Sequence, residues 1–174
     1  IISLPDDRLY RPNDKITVNE AIKILICTLG YGEYALMLGS YPAGYSEVAR
    51  KLEFSVTGTN EALTVYRSYI MLYDALKAPM YEKTAAGGGY ISYDESDETL
   101  LSKYFDVYEA EGIITQSAGV SIYGDVITGA TNQDTANIVA IDGERYISNI
   151  DLYDYLGRRT VVYYVQKDED DDKN

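Results

Sequence analysis

The chain contains no histidine and no tryptophan, and it has one cysteine, two phenylalanines and four prolines among its 174 residues. Without histidine there is no Ser-His or Cys-His nucleophilic pair, and the commonest metal ligand is missing. The single Cys27 excludes an internal disulfide and a cysteine zinc cluster. It sits in Ile24-Leu25-Ile26-Cys27-Thr28-Leu29, where burial as a small apolar side chain suits it. No apolar run approaches the roughly 20 residues needed to cross a bilayer. The sequence opens on Ile1, with neither an initiator Met nor a signal-peptide pattern, and so reads as an excised or processed fragment.

Basic residues are scarce as well. Fifteen Lys and Arg face 28 Asp and Glu, for a net charge of −13. Nucleic acid is excluded as a partner, because its binding runs on cations that neutralise phosphates. The deficit is uneven. Residues 1–80 carry 8 basic and 9 acidic groups, whereas residues 81–174 carry 7 and 19. An anionic ligand therefore prefers the N-terminal half.

Tyrosine is abundant, with 19 copies. Each ring brings apolar area and a hydroxyl that needs a partner or water. A chain built this way carries half-exposed aromatic surfaces suited to protein contacts or sugar stacking. The ordinary alternative is tyrosine standing in for phenylalanine at the edges of a core.

Catalytic patterns are missing. The acidic residues cluster in loop-like stretches, with no nucleophile–base pairing beside them. Gly87-Gly88-Gly89 lacks the Gly-Lys-Ser/Thr ending of a phosphate loop. Asp94, Glu95, Asp97 and Glu98 offer oxygen ligands but not the spacing of a helix–loop–helix calcium site, and they read as solvated charge. The expectation is no enzyme, no catalytic residue, no metal and no cofactor.

Local signals lay out the elements. Thr17-Val18-Asn19-Glu20 is a capping box opening a helix that puts Ala21, Ile22, Leu25, Ile26 and Leu29 on one face and ends at Gly30 or Gly32. Short helices are expected over Glu33–Leu38 and Tyr45–Leu52. Thr64 caps a helix with Val65, Tyr69, Leu72 and Leu76 at helical spacing, stopped by Pro79. Residues 81–98, with three glycines and an acidic run, read as a linker. Leu100, Leu101, Tyr104 and Tyr108 predict a helix from Thr99 to Glu111, stopped by Gly112. Short strands follow at Gly112–Gln116 and Val120–Ile127. Two more, Asn137–Ile141 and Glu144–Ser148, flank an Asp142-Gly143 turn. A helical turn at Leu152–Leu156 and a last strand at Thr160–Gln166 precede an acidic tail or linker, 168–174. The expected fold class is α+β: a helical region at 1–80, a linker at 81–98, and a small unit at 99–167 of one helix and an antiparallel sheet or barrel. The expected first core is Ile22, Leu25, Ile26, Leu29, Val48, Leu52, Leu72 and Leu76.

One stretch carries a family pattern. Leu9-Tyr10-Arg11-Pro12-Asn13-Asp14-Lys15-Ile16-Thr17-Val18-Asn19-Glu20-Ala21, closed by Leu29-Gly30-Tyr31-Gly32, resembles an S-layer homology repeat. Tyr41-Pro42-Ala43-Gly44-Tyr45 and the segment from Leu63 to Leu76 resemble parts of a degenerate second repeat. The resemblance covers roughly residues 6–80. It implies a bacterial surface or cell-wall protein, outside the cell, whose repeats hold an anionic, often pyruvylated, wall polysaccharide. In that family an Arg after the capping Thr meets the acid group, as a guanidinium suits a carboxylate. Here Val18 and Val65 stand at those positions. Arg8, Arg11 and Lys15 remain nearby. With Asn13, Thr17 and Glu20 they form the candidate ligand-binding set, the alternative for the three cations being ordinary solvated charge. Two readings follow: an assembly module that packs against neighbouring surface-protein domains or copies of itself, or an anchor that grips the polysaccharide.

Overall fold

The computed structural model describes residues 13–85, 91–117, 119–124, 138–148 and 150–166. The chain is α+β and divides into two compact units, Ile1–Phe105 and Asp106–Asn174, each with its own core.

In the first unit α1 spans Val18–Thr28. The capping box is complete: the Thr17 hydroxyl accepts from the Glu20 N–H, and Glu20 accepts from the Thr17 N–H at 2.7 Å. Val18, Asn19, Ala21, Ile22 and Ile26 are buried, followed by Leu29. Gly30 then takes φ +94°, where an added Cβ would lie 2.1 Å from the Tyr81 carbonyl oxygen. Only glycine meets both the angle and the approach. Helix α2 runs over Gly32–Leu38 and α3 over Ala43–Lys51. They meet closely, since a Cβ on Gly44 would lie 2.0 Å from the Ala35 carbonyl oxygen. Helix α4 spans Val65–Lys77, with the Thr64 hydroxyl capping the Arg67 N–H. The segments leading into α1 and α4 are joined: Thr17 bridges Ala62, and the Leu63 N–H donates to Ile16 at 2.7 Å.

The expected core is partly corrected. Ile22, Ile26, Leu29 and Val48 are buried, and Leu25 and Leu52 pack at its margin. Leu72, however, is 49% exposed. Helix α4 buries Met71 and Ala75 instead, which lie about 100° around the helix from the expected stripe. Both faces carry apolar residues, so spacing alone does not choose between them.

The stretch expected to be a linker is mostly an antiparallel hairpin of β1, Pro79–Ala85, and β2, Ile91–Thr99, in which Tyr81 faces Glu95 and Glu82 faces Asp94. Gly87–Gly89 lie outside the described residues. The hairpin belongs to the first unit's core. Met80 is buried, and the Tyr81 ring stacks on Tyr31 with centroids 4.6 Å apart. Lys103 on the short α5, Leu100–Phe105, ion-pairs with Glu82 of β1 and with Glu98 of β2. The expected helix to Glu111 is thereby shortened. Asp106 turns at φ +53°, and Val107 begins a strand. The run Val107 to Glu111 also fits a period of two, and a cross-strand partner decides in its favour.

That strand, β3 at Val107–Ser117, organises the second unit. Its first part pairs with β7, Arg159–Val165, from Val107↔Val165 to Ile113↔Arg159. Its last part pairs with β4, Val120–Ser121, and, across a register shift, with β5, Ile138–Ile141. Strand β6, Glu144–Ile147, returns beside β5 through the expected Asp142-Gly143 turn, both residues at positive φ. Because β3 changes partners along its length, the sheet curls over a small core of Ile114, Val139 and Ile141. The expected strand Val120–Ile127 is two residues long as described. Residues 125–127 and the acidic tail lie outside the described residues. Among the described residues no helix is long and apolar enough to cross a membrane.

Candidate functional site

The described members of the candidate set, Asn13, Lys15, Thr17 and Glu20, lie at or just before the start of α1, and the backbone there is already engaged. The first N–H groups of a helix lack internal partners and make a ready anion site. Here the Val18 N–H donates to the Glu61 carbonyl and the Asn19 N–H to the Thr59 carbonyl, both at 3.0 Å. The Glu20 N–H goes to the Thr17 hydroxyl. Glu20 in turn accepts from both the N–H and the hydroxyl of Thr17. Of the candidate set, then, Thr17 and Glu20 hold one another, while Asn13 and Lys15 are exposed. Arg8 and Arg11 lie outside the described residues.

The fold brings to this place residues outside the candidate set. Lys23, one turn after Glu20, sets its ammonium 5.4 Å from the Tyr41 ring centroid and 5.9 Å from that of Tyr45. The Tyr41 phenol is pushed up by burial and then by the Glu20 carboxylate, with a Thr17 hydrogen bond acting in the opposite sense. The i,i+3 spacing of Glu20 and Lys23 was a legible signal. Nothing local connects Tyr41, more than 20 residues away.

Val18 and Val65, which stand where the S-layer homology pattern has arginine, have different surroundings. Val18 is fully buried in the first core, whereas Val65 is 72% exposed on α4. Around Val65 lies an apolar face of Tyr66, Tyr69, Leu72 and Tyr73, all exposed. Lys77 stands 5.3 Å over the Tyr73 ring. Arg67, two residues on from Val65, pairs with Glu61 at 2.7 Å. Among the tyrosines of the second unit, Tyr123, Tyr153, Tyr155 and Tyr163 are exposed. Tyr146 and Tyr164 are half-buried, and their rings pack against each other. Among the described residues no group of three or more Cys, Asp or Glu is placed to hold a metal ion.

No family model and no solved structure matches the chain. Over 180 aligned residues it is 25% identical to the Middle cell wall protein of Brevibacillus brevis. The match covers 94% of this chain and 17% of that much longer protein, so similarity to a bacterial cell wall protein runs through both units.

Proposed function

We propose that the chain is a non-catalytic structural module of a bacterial surface protein of the S-layer type, working outside the cell at the wall by packing against neighbouring domains or copies of itself. The observation that carries this reading is the burial of Val18. The helix caps of the S-layer homology pattern are intact, yet the first position where its ligand-binding arginine stands is occupied by a core side chain. The exposed apolar face of α4 and the similarity to a cell wall protein support the same reading. The alternative, an anchor for an anionic wall polysaccharide through Arg8, Arg11 and Lys15, draws on the exposure of Lys15.

The two readings separate in a binding assay on purified wall sacculi, before and after the secondary polysaccharide is stripped. The assembly reading expects no binding that depends on the polysaccharide. Binding that disappears on stripping, and weakens when Arg8, Arg11 and Lys15 are all changed to Ala, would sink it in favour of the anchor.

A further inference from the structure

Helix α4 is apolar on the side it turns outward. At about 100° per residue, Val65, Tyr66, Tyr69, Leu72, Tyr73 and Leu76 share an arc of about 120°. The first five of these are between 49% and 75% exposed. The charges of the helix stand elsewhere. Arg67 pairs with Glu61, and Asp74 accepts the Ser55 N–H at 2.7 Å. Both lie about 150° around the helix from the centre of the arc. Lys77, over the Tyr73 ring, marks its margin. A surface helix ordinarily turns its polar face outward, and α4 does the reverse.

Helix α2 also exposes Leu36, Met37 and Leu38, but consecutive residues point about 100° apart and make no single stripe. On α4, area and spacing together choose the occupant. Side chains of this size at these exposures leave about 600 Å² open on each copy, at the top of what a monomer's largest apolar patch presents. Two such faces laid together bury about 1,200 Å², where specific interfaces begin. Positions 65, 69, 72 and 76 are separated by steps of 4, 3 and 4 residues, an order that reads the same in both directions. A copy laid antiparallel therefore sets Val65 opposite Leu76 and Tyr69 opposite Leu72 about one two-fold axis, in the alternation by which helices interlock. In a chain of net charge −13, this stripe contains no carboxylate to meet its own copy.

We infer that the outer face of α4 is a dimer contact whose partner is α4 of a second copy, the two helices running antiparallel. The contact names the partner within the assembly reading above and rests on it.

Sedimentation velocity on the full chain should show a concentration-dependent dimer. Tyr69→Glu puts a carboxylate at the middle of the stripe and should raise the dissociation constant at least about thirtyfold. Tyr69 is 68% exposed, so the variant should keep its fold, as circular dichroism checks. Met37→Glu, on the exposed part of α2, should leave the dimer unchanged. Methyl NMR gives a readout independent of any variant. The Val65 and Leu72 resonances should shift with protein concentration, while those of the buried Ile26 and Val48 stay in place. A wild type that remains monomeric to its solubility limit, with α4 methyls indifferent to concentration, overturns the contact. That is the result expected if another segment of the same chain covers the face. A dimer that survives Tyr69→Glu overturns it as well. The sacculus assay judges the assembly reading separately.

Discussion

Helices α1 and α4 begin alike and end in different surroundings. Each follows a threonine whose hydroxyl accepts the N–H three residues on, and each has valine at its first position. Helix α1 drives that valine into the core and buries four more residues behind it. Helix α4 buries two, Met71 and Ala75, and leaves Val65, Tyr66, Tyr69, Leu72 and Tyr73 facing out. A repeated helix start fixes where a helix begins and not which face is covered. Capping is local to one turn, and burial depends on what else the chain brings near.

The sharpest way to break the comparison is to place an arginine at both positions. Val18→Arg should cost at least about 3 kcal/mol, because a charge enters a site with no room and no partner. Val65→Arg should change stability by less than about 0.5 kcal/mol, as exposed substitutions do. Urea denaturation of both variants checks this, and comparable losses would dissolve the distinction. A smaller contrast is expected at the caps. Thr17→Ala should cost about 1 to 2 kcal/mol, since it removes an acceptor and frees Glu20 from the reciprocal box, and Thr64→Ala should lie nearer the lower end.

The last contrast concerns the ends of the two helices. Tyr31, just past α1, donates its hydroxyl to the Pro79 carbonyl, just past α4, at 3.2 Å. Burial, and then the Glu95 carboxylate and neighbouring tyrosines, push this phenol well above the ordinary tyrosine range. The folded unit thus holds the proton more tightly than the unfolded chain. The resulting stability is present in full below the unfolded value of about 10 and is lost as pH rises above it. Tyr31→Phe should cost about 1 kcal/mol at neutral pH and flatten the alkaline part of the stability curve, as followed by circular dichroism against pH.

Parts of the molecule were legible because their signals act over a few residues. The capping box at Thr17, the Thr64 cap, the stop before Pro79 and the Asp142-Gly143 turn are each complete within one short segment. The candidate site was legible only at Thr17 and Glu20, which the same box places together. Lys23 stood at a readable spacing, whereas Tyr41 arrives through the folding of α2 and α3 against α1.

By itself the sequence determined the helix starts, the breaks, the tight turn and the charge imbalance, because each is a property of neighbouring residues or of composition. Tertiary structure decided the rest. Residues 79–85 and 91–99 became a hairpin once Tyr31 and Gly30 received Tyr81. The segment 107–117 became a strand because β7 lies alongside it. Met71 rather than Leu72 turned inward. In each case the local pattern admits two readings, and contact with residues distant in sequence settled the choice.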